Sequence, residues 1–226
     1  MVIIVAGASG GLGGYVASEM TKDHNVIGTF HTKAFSLPKV EAIATDVTNE
    51  NSVAHLLAKV EVYNGEVVLV NMTGVTCARL AHNLTFNEWF HVLNVNLNGT
   101  FILCRAFLPL MWERKWGRII NVVSVVSQLG IPGTSAYAAS KEGVVGLTKV
   151  LAKENATKGI TVNALSLGYF DRGMIEAVPA KMLDIIKGQI PMGHLGHPSN
   201  IVAAIRFLIE ADYVTGAVIP INGGLA

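Results

Sequence analysis

The sequence has only two cysteines, Cys77 and Cys104, in 226 residues. Two thiols make no disulfide framework and offer no paired spacing for zinc, so both are expected to be core thiols in a reducing compartment, with no metal site. Net charge is nearly absent as well, since 17 Lys and Arg face 16 Asp and Glu. Such a balance sets up no long-range field toward nucleic acid or an anionic membrane, so neither is an expected partner. Charged residues make up 15% of the chain and hydrophobic ones 51%, which excludes disorder. Unbroken apolar spans are missing too. Ile119 to Ser140 carries no charge and is about long enough to cross a bilayer, but four serines, two glycines, Pro132 and Gln128 interrupt it. Met1 to Ala6 has no basic leader and runs into glycines, not a cleavage site. The expectation is one cytoplasmic domain over residues 1–226.

What is present is glycine, 23 residues of it, and a mean hydropathy of +0.46, which suits strands buried on both faces. Short apolar runs alternate with longer helical patterns from end to end. Strands are expected at Val2 to Ala6, Val26 to Phe30, Glu41 to Thr45, Val67 to Asn71, Arg118 to Ser124, Thr161 to Ser166 and Val218 to Ile221. Helices are expected at Leu12 to Lys22, Ser52 to Val60, Phe86 to Trp112, Ala136 to Lys158, Arg172 to Lys187 and Ser199 to Glu210. Thr85 or Asn87 can cap the helix that starts at Phe86, Ser199 the last one, and Asn64-Gly65 can close the one that ends at Val60. This order predicts an α/β fold, a single doubly wound (Rossmann-type) domain with a seven-stranded parallel sheet and helices on both faces. In such sheets ligands sit beyond the carboxyl ends of the strands, so Tyr169 to Pro198 is the natural substrate lid.

Gly7-Ala-Ser-Gly-Gly-Leu-Gly13 follows the first strand and opens the first helix. Glycine suits a tight turn that lets a pyrophosphate reach backbone amides at a helix N-terminus. Gly7, Gly11 and Gly13 fit one spacing, G-x-x-x-G-x-G; Gly7, Gly10 and Gly13 fit another, G-x-x-G-x-x-G.

Tyr137-Ala-Ala-Ser-Lys141 puts a phenol and an ammonium one turn apart on one helix face. A lysine charge close to the phenol favours phenolate and is expected to lower a pKa that is ordinarily near 10. Ser124 lies at the carboxyl end of an expected central strand, where its hydroxyl can hold a substrate oxygen. With the glycine turn, and with Asp46-Val-Thr, Asn71-Met-Thr-Gly74, Asn94-Val-Asn-Leu97, Asn121-Val-Val-Ser124, Asn163 to Gly168, Leu195 to Pro198, Val214-Thr-Gly216 and Asn222-Gly-Gly224 in order along the chain, the sequence resembles the short-chain dehydrogenases/reductases. Its length suits their compact branch, and it looks most like the 3-oxoacyl-[acyl-carrier-protein] reductases.

The resemblance implies an NAD(P)(H)-dependent oxidoreductase that moves hydride between nicotinamide and a carbonyl or secondary alcohol. Its catalytic residues would be Asn96, Ser124, Tyr137 and Lys141, with the Asn96 side chain holding a water that relays protons to Lys141. The cofactor would meet Gly7, Ser9, Gly10, Gly11, Leu12 and Gly13 at its pyrophosphate, Asp46 and Val47 at adenine, and Asn71, Thr73 and Gly74 near the adenosine ribose. Tyr137 and Lys141 would reach the nicotinamide ribose, and Gly168 and Arg172 its carboxamide end. Met72 and Thr73 depart from the family's Asn-Asn-Ala-Gly, Leu167 from its Pro-Gly, and Arg172 stands in a threonine's place.

No acid occurs between Asn25 and Lys39, while His31, Thr32 and Lys33 can donate to a 2′-phosphate, so NADP(H) is expected over NAD(H). Gly10 stands where many NADP-binding relatives carry arginine, which argues the other way. The substrate is expected to be a small carbonyl or alcohol, free or carried on acyl carrier protein; Arg114, Lys115, Lys153 and Lys158 read first as ordinary solvated helix ends, with a basic surface for such a carrier as the alternative. A homotetramer is expected through Asn96 to Trp112 and Ala136 to Lys153, with Gly143, Gly146 and Ala152 allowing close helix approach. The alternatives are a reductase of free ketones, alcohols or sugars, and a dinucleotide-binding sensor or scaffold without turnover.

Overall fold

Val2 to Ala6 is apolar at every position and buried at every position, so its backbone can bond only to flanking strands. The computed structural model describes residues 1–226, the side chain of Ala177 excepted. Its seven strands are β1 (Val2–Ala6), β2 (Asn25–Phe30), β3 (Val40–Ala44), β4 (Val67–Asn71), β5 (Gly117–Ser124), β6 (Ile160–Leu167) and β7 (Val218–Ile221). All neighbours are parallel, in the order β3-β2-β1-β4-β5-β6-β7. The helices are α1 (Gly11–Met20), α2 (Glu50–Glu61), α3 (Phe86–Leu93), α4 (Gly99–Arg114), α5 (Val126–Leu129), α6 (Ser135–Asn155), α7 (Ala180–Gln189) and α8 (Ser199–Glu210).

Alternation along the strands divides the core into two layers. Ile4 and Leu69 join Leu56, Phe107 and Leu151 of α2, α4 and α6 on one face. Ile3 and Val68 join Val16, Met20 and Ile205 of α1 and α8 on the other. The chain builds outward from β1 to β3, then returns to place β4 on the opposite side of β1. The crevice therefore opens where Ala6 and Asn71 stand in register at the ends of β1 and β4.

One link is unusually short, and three local expectations need correction. The link from β2 to β3 has no helix and spans nine residues, 31–39, although parallel neighbours usually need a longer crossover. Phe35 and Leu37 cover the sheet there, since a Cβ on Gly28 would lie 2.7 Å from the Phe35 ring. Phe86 to Trp112 is not one regular helix, because a π-turn over Asn94–Asn98 separates α3 from α4. Arg172 to Lys187 is not a helix as a whole: Arg172 is extended, a short 3₁₀ turn covers Gly173–Ala177, and Pro179 precedes α7. Ser199 is the first residue of α8 instead of its cap, and its hydroxyl meets His197 Nδ1 at 2.8 Å. Thr85 does cap α3, in a reciprocal box with Glu88. The uncharged stretch from Ile119 becomes β5, α5 and the start of α6, and no described helix is long and apolar enough to cross a membrane.

Candidate active site

Ser124 ends β5, and its Oγ accepts the Val126 N–H at 3.2 Å, which aims the hydroxyl beyond the sheet. Tyr137 and Lys141 lie one turn apart near the start of α6, and both are buried. Lys141 Nζ donates to the Val122 carbonyl at 2.8 Å and stands 5.7 Å from the centre of the Tyr137 ring. Burial brings the lysine down to about 8. The phenol goes up, against the sequence expectation: burial raises Tyr137, and only the Ser124 hydroxyl opposes it. An ammonium bonded to the Val122 carbonyl, 5.7 Å from the ring centre, does not outweigh that burial in the resting site.

Asn96 is fully buried in the π-turn. Its Oδ1 accepts the Val75 N–H at 2.8 Å, while Nδ2 donates to the Val75 carbonyl at 2.9 Å and to Ser140 Oγ at 3.0 Å. Ser140 in turn donates to the Tyr137 carbonyl at 2.7 Å. Both amide protons of Asn96 are committed and clamp the loop after β4 to α6, which leaves the second lone pair of Oδ1 as the place for the expected side-chain grip on a water. Ser140 was not foreseen, although its place beside Lys141 in the same helical turn was a signal.

The glycine turn resolves its own two spacings. Gly7 has φ +86°, a Cβ on Gly13 would run into the Gly7 carbonyl, and one on Gly11 would lie 2.8 Å from Gly173 N. One on Gly10 would meet only the Gly7 carbonyl at an ordinary 3.5 Å. Gly7, Gly11 and Gly13 are the required set.

Gly7, Gly10, Gly11, Leu12, Gly13, Gly74 and Gly168 line one cleft of about 180 Å³ with Ser124, Tyr137 and Lys141. Met72, Val122, Val123, Leu167, Gly173 and Met174 complete its walls and were not foreseen. A Cβ on Gly74 would stand 3.4 Å from Lys141 Nζ and 3.6 Å from Asn96 Oδ1, so that glycine keeps the approach to both open. Beside the cleft, an apolar cavity of about 330 Å³ shares Ser124 and Tyr137 and is walled by Val125, Ile131, Phe170 and Val178.

The remaining expected cofactor residues lie outside the cleft lining. Ser9, His31, Thr32 and Lys33 are exposed beyond the ends of β1 and β2. His31 Nε2 is 3.8 Å from Asp46 Oδ2. Two bonds from Thr48 hold the Asp46 carboxyl below its usual range, and Asn49, not Asp46, caps α2. Val47 is buried against Gly99. Asn71 faces the core, where Nδ2 donates to Asn121 Oδ1 at 2.6 Å and ties β4 to β5. Thr73 Oγ1 is buried without a partner beside Gly7. Arg172 lines the apolar cavity, its guanidinium 5.4 Å from the Tyr15 ring centre.

Two surface features are placed by the geometry. Arg114 and Lys115 directly precede β5, and Lys158 precedes β6, so they stand at the amino ends of the strands. Ser124 and Gly168 lie at the other ends, about 25 Å away along eight-residue strands. Arg114, Lys115 and Lys158 thus lie at the far end of the sheet from the cleft. Gly143 closes onto Leu97 of its own chain and Ala152 is buried in the core, which leaves Gly146 alone open to a partner helix.

Comparison with known proteins places the chain in a family. A family model described as Enoyl-(Acyl carrier protein) reductase matches residues 15–226. The chain is 37% identical to the 3-oxoacyl-[acyl-carrier-protein] reductase of Pseudomonas aeruginosa over 99% of its length and 96% of the relative's. It is 37% identical to nodulation protein G of Azospirillum brasilense, covering 99% and 97%. It is 42% identical to the acetoacetyl-CoA reductase of Shinella zoogloeoides, covering 79% and 76%. The chain belongs to the short-chain dehydrogenase/reductase family. It is an NAD(P)-dependent oxidoreductase acting between a carbonyl and an alcohol, and its cofactor is a nicotinamide dinucleotide. The residues present fit that group: the turn of Gly7, Gly11 and Gly13 leaves backbone amides bare at the α1 N-terminus, and the Gly74 cradle opens onto Lys141.

Proposed function

We propose that the chain reduces 3-oxoacyl thioesters with NADPH, the acyl group being carried on acyl carrier protein. The observation that carries this reading is the apolar cavity that meets Ser124 and Tyr137 at one end. An acyl chain fits its walls while the 3-oxo oxygen reaches the two hydroxyls. The relatives named for 3-oxoacyl and acetoacetyl substrates favour this over enoyl reduction.

The dinucleotide, when bound, supplies hydride to the carbonyl carbon. Ser124 donates a hydrogen bond to the carbonyl oxygen and orients it. Tyr137, kept protonated by burial, gives its proton to that oxygen as the alkoxide forms. Lys141 then stabilises the phenolate, and Asn96 with Ser140 holds α6 against the loop after β4 so that these groups keep their places. The complete set of proton-handling residues supports turnover over a sensor or scaffold role. Arg172, at the cavity wall and on the cofactor side of α1, is assigned to the nicotinamide or phosphate end of the cofactor. NADPH is preferred because His31, Thr32 and Lys33 present donors at the end of β2 and residues 25–39 hold no acid, although the Asp46 carboxylate stands 3.8 Å from His31.

Association into a homotetramer through α4 and α6 is part of this reading, supported by the exposed Phe101, Trp112 and Val150. A monomeric mass in light scattering would remove it. The activity is tested with acetoacetyl groups on carrier protein, on coenzyme A and as the free acid, alongside a crotonyl thioester and each nicotinamide. Oxidation of NADPH fastest with the carrier-bound 3-oxo substrate is expected. Preference for the free ketone or for the enoyl thioester would overturn the assignment.

A further inference from the structure

The turn after β6 does not merely border the glycine-rich cleft; it rests on the cleft's floor. The Cβ position of Gly11, first residue of α1, is 2.8 Å from Gly173 N and 2.9 Å from Gly173 Cα, so two backbones meet with no side chain between them. Glu176 closes that turn. Its Oε1 accepts the Gly173 N–H at 2.9 Å and lies 3.5 Å from the same Gly11 position. On the flank, Arg172 faces the Tyr15 ring, which packs edge-on to His197 at 5.5 Å between centres.

The first turn of α1 has no acidic residue and no side-chain cap of its own. Its N–H groups stay bare, and the Glu176 carboxylate, from a distant part of the chain, lies beside them in the partial positive field of the helix end. The space left, about 180 Å³, is below the ~300–1,000 Å³ that even a drug-sized ligand fills. A dinucleotide laid across Gly7 to Gly13 and the turn in this position exclude each other.

We propose that residues 172–176 form a gate over the cofactor seat, with the Glu176 carboxylate standing where the pyrophosphate must go, so that the dinucleotide binds only by displacing it. The proposal rests on the reading of the glycine turn as that seat. One carboxylate at a helix N-terminus contributes only about 0.3–1 kcal/mol, so the gate is weak and reversible, and cofactor binding shifts it by outcompeting the internal anion. Met174 walls both the cleft and the apolar cavity. Displacing the turn therefore reshapes the substrate cavity in the same movement.

The test is NADPH binding, followed by cofactor fluorescence at equilibrium and in stopped flow, for the wild type, Glu176→Gln and Glu176→Ala. Gln keeps an acceptor for the Gly173 amide without the charge; Ala keeps neither. Both variants are expected to bind about two- to fivefold more tightly through faster association, with the advantage of Gln shrinking in high salt. Wild-type rates and affinities in both variants, or weaker binding, would overturn the gate. Failure of the wild type to bind either nicotinamide dinucleotide would overturn the glycine-turn reading and the gate with it.

Discussion

Asn96 grips Val75 at both ends of one residue, accepting from its N–H at 2.8 Å and donating to its carbonyl at 2.9 Å. The loop that leaves β4 toward the cofactor side is thereby fastened to the π-turn, and Ser140 extends the fastening to α6.

Asn96→Ala leaves the Val75 peptide and Ser140 without these partners in a buried setting. A stability loss of roughly 2–4 kcal/mol in urea unfolding is expected, since each orphaned buried group costs about 1–3 kcal/mol, together with a fall in kcat. A variant as stable as the wild type would show that the clamp is dispensable.

Tyr137→Phe removes the proton donor and little else. Turnover should drop by roughly 10²- to 10⁴-fold, while NADPH binding measured by fluorescence stays within a small factor of the wild type. More than a few per cent of wild-type kcat in the variant would show that another group delivers the proton.

Lys141 sets a stability window. Its folded pKa, about 8, lies below the ordinary 10.5, so between those values the unfolded chain binds more protons than the folded one. Stability contributed by this group therefore rises with pH across the window, by roughly 3 kcal/mol at most. Lys141→Met should lack the rise. Unfolding curves of the two proteins at pH 7.5 and pH 10 measure it, and parallel pH trends would contradict the burial argument.

Thr32→Asp places an acid where a 2′-phosphate would lie. The ratio of kcat/KM values should move toward NADH by about tenfold, or 1.4 kcal/mol. A wild-type enzyme that already favours NADH would remove the basis of the NADPH assignment.

The parallel sheet was legible because buried strands are apolar at every position, as Val2 to Ala6 shows, and the catalytic pair because one helical turn separates Tyr137 from Lys141. Polar residues at strand ends were harder. Asn71 was assigned to the cofactor, but its β4 position points it at Asn121 in the core. The remoteness of Arg114, Lys115 and Lys158 from the cleft is legible as well: residues just before a parallel strand lie at its amino end, away from the ligand. Burial of Tyr137 outweighs its neighbour's charge, and burial depends on packing among α3, α5 and α6 that spacing does not reveal. The π-turn left no mark in the apolar pattern, whereas Pro179 did announce the break before α7.

The π-turn over Asn94–Asn98 makes the segment from Phe86 to Arg114 two rods joined with a fixed phase offset. Removing one residue there would restore an ordinary helix and turn α4 by about 100° about its axis. Phe107 and Met111, wholly buried against the sheet, would swing sideways, and the exposed Phe101 and Trp112 would leave their common outer edge. A single extra residue thus lets one long segment answer two demands of different pitch, an amide clamping the loop after β4 and an apolar seam facing the sheet. Length changes in this segment should be tolerated only in whole turns.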